Sequence, residues 1–338
     1  MPKRVLIIHT GGTIGMKKTD NGYAPARGYL RSALDAIPDL KKCGMPEWEL
    51  AELPSILDSS NVSVAEWNEM AKMIYDSYSE YDGYVILHGT DTMAYTASAL
   101  SFMLENNSKP IILTGSQIPL SELRSDGVDN IVTSLLIAAE GVVNEICLFF
   151  GSRLLRGNRA TKMSADGLMA FDSPNYPHLA DVGISIRYNR SAIAPKNEGK
   201  IKFNPFSDVP IGVIKVFPGV QFSLFESIMT DKLSGIVLEG FGTGNIPDKK
   251  GELLPIVKRA FDAGVVVVVC SQCPCGAVSL GAYETSTPLL RAGAVSGSDM
   301  TTEAAVAKLY HLRSLGVSGT EIQAFMLKNV CGELTENL

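Results

Sequence analysis

The stretch Val5-Leu6-Ile7-Ile8-His9-Thr10-Gly11-Gly12-Thr13-Ile14-Gly15 reads as a short buried strand that runs straight into a glycine turn. Four consecutive apolar residues leave no polar face, as in a parallel strand covered on both sides. The pattern recurs at Tyr84 to His88, Ile111 to Thr114 and Ile146 to Phe150. Between these runs Val64, Trp67, Ala71, Ile74 and Tyr78 recur at spacings of three and four, which is one apolar helix face. Two further helices are expected from Thr92 to Asn106 and from Asp126 to Ala139, each starting beside an Asp or Ser able to cap free N–H groups. This alternation predicts an α/β fold whose larger N-terminal domain, residues 1–190, carries a doubly wound, mostly parallel sheet. Residues 191–210 are rich in breakers and read as a linker. A smaller C-terminal α/β domain is expected over 211–338, with strands Ile211 to Phe217, Gly235 to Leu238 and Val265 to Cys270. Its helices are expected near Phe222 to Met229, Gly251 to Ala263 and Thr302 to Leu315.

Composition narrows the function classes. A chain of 338 residues that is 46% hydrophobic can fill two cores. The net charge of -6, with no basic run, gives no footprint for nucleic acid. The longest apolar run, Ala263 to Cys270, is far below the roughly 18 residues of a membrane span. Only Val5 to Ile8 follow Lys3-Arg4 before polar residues begin, a strand rather than an export signal. The six cysteines, Cys43, Cys147, Cys270, Cys273, Cys275 and Cys331, have no disulfide-scaffold spacing and suit a reducing cytoplasm. Cys270-x-x-Cys273-x-Cys275 lacks the second Cys or His pair of a tetrahedral site, so no metal or cofactor is expected.

Three strands run into loops of small and hydroxylated residues: Thr10 to Gly15, Gly89-Thr90-Asp91-Thr92 and Thr114-Gly115-Ser116-Gln117. In an open parallel sheet, ligands bind beyond the carboxyl ends of the strands, so these loops can converge on one crevice. Gly11 and Gly12 permit close approach of a ligand, and a helix starting near Thr13 would aim N–H groups at developing negative charge. A phosphate or dinucleotide loop is the competing reading. However, Gly11-Gly12-x-x-Gly15 does not match Gly-x-Gly-x-x-Gly, and no Gly-Lys-Ser/Thr follows. Asp91 reads either as an N-cap or as a site carboxylate. Ser116 reads either as a backbone carbonyl for a scissile amide or as a simple turn. His9 and His88, at strand ends, read as satisfied core histidines. Met16 to Ala26 is polar with an Asn21-Gly22 turn, and suits either a mobile lid or a solvated hairpin tip.

The glycine-threonine turn and the run Tyr84-Val85-Ile86-Leu87-His88-Gly89-Thr90-Asp91-Thr92-Met93-Ala94-Tyr95-Thr96 resemble those of the bacterial L-asparaginase family, in its cytoplasmic type I branch. The likeness extends over Asp58-Ser59-Ser60, Thr114 to Pro119, Arg156 to Lys162 and Phe241 to Asn245, essentially the whole chain. The resemblance implies a hydrolase that converts asparagine to aspartate and ammonia. It places the nucleophile on Thr13, a lid tyrosine on Tyr23, and the second threonine with its aspartate and lysine on Thr90, Asp91 and Lys162. Asp58, Ser59, Ser60 and Asp91 are implied to hold the amino-acid head group. Asn245 and Tyr283 are implied to be lent by a neighbouring subunit of a homo-oligomer, a dimer or dimer of dimers. In some relatives a basic residue follows Gly235-Ile236-Val237-Leu238 and holds an effector asparagine. This chain has Glu239 there, which speaks against that control, although Thr161 and Cys273 are retained.

Such chemistry needs an activated hydroxyl, donors for the tetrahedral oxyanion and an acid for departing ammonia. Thr13 is expected to lose its proton to Thr90 backed by Lys162, an amine that is neutral only where burial and a cationic neighbourhood act on it. Tyr23 is the rival activator. Backbone N–H groups of Thr13 and Thr90 are expected to hold the oxyanion. Mixed asparaginase-glutaminase activity is one alternative, and a non-catalytic asparagine sensor is another. An amidotransferase subunit acting on charged transfer RNA usually brings an extra N-terminal domain, for which no room exists before Val5.

Overall fold

Arg4–Gly11, buried along almost its whole length, is the strand about which the larger unit is built. In this computed structural model, which describes residues 2–20, 22–25, 28–248, 251–281 and 287–336, it pairs in parallel with Glu47–Leu57 on one side and Gly83–Leu87 on the other. Ile111–Thr114 and Ile146–Phe150 continue the parallel sheet outward from Gly83–Leu87. The chain therefore steps from the first strand to one edge and then returns to build on the opposite side. That reversal leaves a crevice at the carboxyl ends of Arg4–Gly11 and Gly83–Leu87, where doubly wound sheets bind ligands. Arg153–Arg156, Ala180–Val182 and Ile186–Tyr188 add antiparallel strands, giving eight in the sheet.

The helices follow from their apolar stripes and caps. Val64–Asp76 starts on a capping box formed by Ser63 and Glu66. Met93–Met103 is buried on nearly every side, which explains its lack of a polar face. Gly127–Glu140 packs Ile131, Leu135 and Ala138 into a core with Val5, Ile7 and Val85 of the sheet. Asp126 holds the N-cap position, but its side chain does not cap the helix. Its carboxylate accepts instead from the N–H groups of Gln117 and Ile118.

Contacts divide the chain into units Met1–Phe203 and Asn204–Leu338. In the second unit Ile211–Lys215, Gly235–Gly240, Val266–Ser271 and Val295–Ser296 form a four-stranded parallel sheet. Leu253–Asp262 and Thr302–Ser314 are its longer helices. Thr302–Ser314 carries Lys308, which is fully buried and paired with the equally buried Glu333 at 2.6 Å. Glu239, next to last in Gly235–Gly240, has Oε1 accepting from the Thr302 hydroxyl at 2.7 Å.

Candidate active site

At the crevice the loops meet backbone to backbone. Gly11 and Gly12 have φ of +121° and +82°, which an L side chain rarely adopts. Space excludes a side chain as well: a Cβ on Gly12 would lie 2.3 Å from the Gly89 nitrogen, and one on Gly11 would lie 2.0 Å from the Leu57 oxygen. A Cβ on Gly89 would fall 2.5 Å from Ser59 Oγ. The α-helix expected near Thr13 is absent. Thr13–Gly15 is a single 3-10 turn, and the chain passes at once into the strand Met16–Thr19. Three residues cannot build a macrodipole, so attraction for an anion here falls to individual N–H groups.

A cavity of about 230 Å³ opens between these loops, lined by Gly12, Thr13, Asp58, Ser59, Gly89, Thr90, Asp91, Gln117, Lys162 and Ala165. That is room for a molecule of amino-acid size, below the roughly 300 Å³ at which drug-sized pockets begin. Among the described residues, the Thr13 side chain makes no hydrogen bond and so is free for a ligand. Lys162 stands on the short strand Thr161–Lys162, paired antiparallel with Phe171–Asp172. Its Nζ donates to Thr90 Oγ1 at 2.9 Å and to Asp91 Oδ1 at 2.7 Å. The charge beside it is thus a carboxylate, not the cationic neighbourhood expected.

The capping reading of Asp91 fails. The following helix has Thr92 at its N-cap, and the Thr92 hydroxyl donates to Ser59 O at 2.7 Å. This leaves the Asp91 carboxylate, 63% exposed, to face Lys162. Asp58 Oδ1 accepts from Ser60 N at 2.9 Å and Ser60 Oγ at 2.8 Å. The turn therefore presents Asp58 and Ser59 to the cavity while the Ser60 hydroxyl is taken up by Asp58.

Other expected residues lie apart. Met16–Thr19 pairs with Gly22–Pro25, so the expected lid loop contains a two-stranded hairpin. Asn21 and Ala26 lie outside the described residues. Tyr23 on this hairpin is exposed and hydrogen-bonded to Glu122, whose carboxylate holds the phenol above the ordinary tyrosine range. Ser116 is buried with its hydroxyl unpartnered and is not among the residues that line the cavity. Asn245 closes a turn with Phe241 in the second unit. Tyr283 lies outside the described residues. Gln117 and Ala165 are the lining residues to which sequence reasoning gave no role, and the place of Gln117 in the loop that follows the strand Ile111–Thr114 is the signal that could have assigned it one.

The two strand-end histidines differ. His88 is fully buried, with Nδ1 2.7 Å from Gly89 O and Nε2 2.9 Å from Thr96 Oγ1, which also accepts from Trp67 Nε1. A carbonyl only accepts, so Nδ1 carries the proton and the ring is a satisfied neutral imidazole. His9 is only half satisfied. Its Nδ1 lies 3.2 Å from Glu52 Oε1, and its buried Nε2 has no partner.

Burial lowers His88 to about 4, against about 6.5 for an unfolded histidine. Above pH 6.5 both states are neutral and no stability is lost. Below it, the unfolded chain takes up a proton that the native state refuses, costing about 1.4 kcal/mol per unit until native His88 protonates near pH 4. Lowering the pH from 7 to 4.5 should therefore remove about 2–3 kcal/mol through this group. Urea titrations followed by Trp67 fluorescence read this, and an equal pH dependence in His88→Gln would contradict it.

Comparison with known proteins bears on this geometry. Residues 4–194 match the family model described as Asparaginase, N-terminal, and residues 210–326 match the Glutaminase/Asparaginase C-terminal domain. The chain is 44% identical over 333 residues to L-asparaginase 1 of Escherichia coli (strain K12), covering 98% of each. It superposes on the crystal structure of L-asparaginase I from Vibrio cholerae with a TM-score of 0.91 at 45% identity, covering 99% of this chain and 100% of that one. On the thermostable L-asparaginase from Thermococcus kodakarensis the TM-score is 0.90 at 34% identity, with 99% and 100% covered. A likeness that spans both units at this identity leaves one assignment: the chain belongs to the asparaginase family.

Proposed function

We propose that the protein is an L-asparagine amidohydrolase that works through an acyl-threonine on Thr13. The observation that carries this reading is the meeting of the unbonded Thr13 side chain with the Thr90–Lys162–Asp91 chain in one small polar cavity. Asp91 receives the substrate α-ammonium, and the Asp58-Ser59-Ser60 turn holds the rest of the head group. Thr13 Oγ attacks the side-chain amide carbon, and its proton passes to Thr90 and on to Lys162 once that amine has shed its own extra proton. The oxyanion is received by the backbone N–H groups of Thr13 and Thr90. Lys162 returns that proton through Thr90 to the departing nitrogen, and ammonia leaves as the intermediate collapses to the acyl-threonine. Water then cleaves the acyl-threonine and releases aspartate.

The 2.9 Å contact from Lys162 to Thr90 supports this route. Tyr23 is the alternative acceptor, and in this conformation its phenol is engaged with Glu122. In this reading the site works in a homo-oligomer, dimer or dimer of dimers, with Asn245 and Tyr283 lent by a neighbouring subunit, and the enzyme acts in the cytoplasm. Among the described residues no helix is long and apolar enough to cross a membrane.

Ammonia release measured on asparagine and glutamine tests the reading. Asparagine should be turned over in preference, and a preference for glutamine would overturn the substrate assignment. The curve against asparagine should be hyperbolic, because Glu239, engaged with Thr302, offers an effector carboxylate no cation. A sigmoidal curve would contradict that role for Glu239.

A further inference from the structure

We propose that Gln117 is a positioning residue of this site, which fixes the direction of the Thr90 hydroxyl proton and ties the segment following Lys162 to the Thr90 loop. The proposal rests on the reading of the site given above. Its basis is the hydrogen-bond inventory. A lysine ammonium has three donors and no acceptor, so Thr90 Oγ1 accepts from Lys162 at 2.9 Å. The single proton of the Thr90 hydroxyl is then directed to Gln117 Oε1, 3.3 Å away.

The Gln117 amide cannot be turned over. Its Nε2 donates to two carbonyls, Ala165 O at 3.2 Å and Gly167 O at 3.1 Å, and a flip would set oxygen against both. The backbone beneath it is equally held. Gln117 N–H is shared between the two Asp126 oxygens at 3.1 and 3.0 Å, and Asn130 Nδ2 donates to Gly115 O at 2.9 Å. The result is a directed chain from Lys162 through Thr90 and Gln117 to the Ala165 and Gly167 carbonyls.

Two consequences follow for catalysis. While Lys162 is an ammonium, the Thr90 proton rests on Gln117, and the hydroxyl can turn its proton toward the lysine only after that amine is neutral. Gln117 thus gives Thr90 two defined rotor positions in place of a freely turning hydroxyl. It also keeps Ala165, a lining residue, at the edge of the cavity.

Two full-length variants test this. Gln117→Met removes both the acceptor and the donors, and kcat on asparagine should fall about 10- to 100-fold with KM within about threefold. Gln117→Glu keeps an acceptor for Thr90 but repels the two carbonyls. Protonation turns it into a neutral acid that accepts from Thr90 and donates to one carbonyl. Its kcat relative to the native enzyme should therefore climb at least about threefold as the pH falls from 8 to 5. The surrounding charges, Lys162, Asp91 and Asp126, are common to both proteins, so the ratio isolates position 117.

Deuterium uptake supplies a readout that needs no turnover, and peptides spanning residues 163–170 should exchange faster in Gln117→Met than in the native chain. Near-native kcat, a rise in KM alone, a pH-independent Gln117→Glu ratio or unchanged uptake would each overturn the role. A native protein that releases no ammonia from asparagine would instead overturn the functional reading, with deuterium uptake still deciding the structural tie.

Discussion

Thr13→Ala should lower kcat on asparagine by about 10⁴- to 10⁶-fold, the range seen when a nucleophile that acts with its base is removed. The size of the effect follows from the chemistry. An amide is a poor electrophile, and the neighbouring threonine hydroxyls are engaged: Thr90 is bonded to Lys162 and Gln117, and Thr92 to Ser59 O. Residual turnover would come from binding and from the oxyanion donors, which the substitution leaves in place. Folding should be almost untouched, within about 0.5 kcal/mol, since the Thr13 side chain makes no hydrogen bond to other described residues. Ammonia release beside a urea titration of the same preparation separates the two effects. Undiminished release would remove Thr13 from the chemistry, and Thr13→Ser should retain measurable activity where alanine does not.

Glu333→Ala should cost about 3–5 kcal/mol, the usual consequence of leaving one member of a buried ion pair alone. Burial pushes the Lys308 amine below the ordinary lysine range, and Glu333 pushes it back. Lys308 Nζ also donates to Met326 O at 3.1 Å and Lys328 O at 2.5 Å. Glu333 in turn accepts from Val330 N at 3.0 and 3.1 Å and from Cys331 N at 2.8 Å. One carboxylate therefore organises the tail from Val330 to Glu333 and neutralises the helix Thr302–Ser314 at its buried lysine. Its loss strands a cation and two N–H groups together. Both tryptophans, Trp48 and Trp67, belong to the first unit, so fluorescence would miss this transition. Hydrogen exchange of peptides from 302 to 336 reads it directly. Lys308→Met combined with Glu333→Ala should cost less than the sum of the single changes, because the unpaired charge is gone. Strict additivity would show that the pair does not couple.

The parts of the fold that were legible are those whose sequence pattern reports burial on its own. Gly83–Leu87 and Ile146–Phe150 are apolar throughout because both faces are covered, and Val64–Asp76 carries a clean stripe. Glu47–Leu57 was missed for the opposite reason. It is an edge strand in which only Leu53 is buried and most residues are half-buried, so charges and apolar residues mix without a period. At Thr13 a helix start was expected, and Gly12 before it was read as permitting close approach of a ligand. What it serves is the backbone contact with Gly89, a tertiary fact.

Within the site, Thr90 and Asp91 could be singled out because they follow a buried strand directly. The partnership of Asp91 with Lys162 joins residues 71 positions apart, and no local pattern announces it. Gln117 stayed hidden for the same reason: its amide is defined by carbonyls some 50 residues away. Asp126 was read as a cap because its type and position suit one, yet the nearby N–H groups of Gln117 and Ile118 claim its carboxylate.

The contact of Gly11 and Gly12 with Leu57 and Gly89 has a consequence for how such a cleft can diversify. A surface made of main chain offers mutation almost nothing to vary, since any side chain there must push apart the strands that support it. Randomised libraries aimed at new amide substrates should yield folded members when they sample Gln117 and Ala165 and almost none when they sample Gly11, Gly12 or Gly89. The inheritable variation of this pocket is confined to its rim.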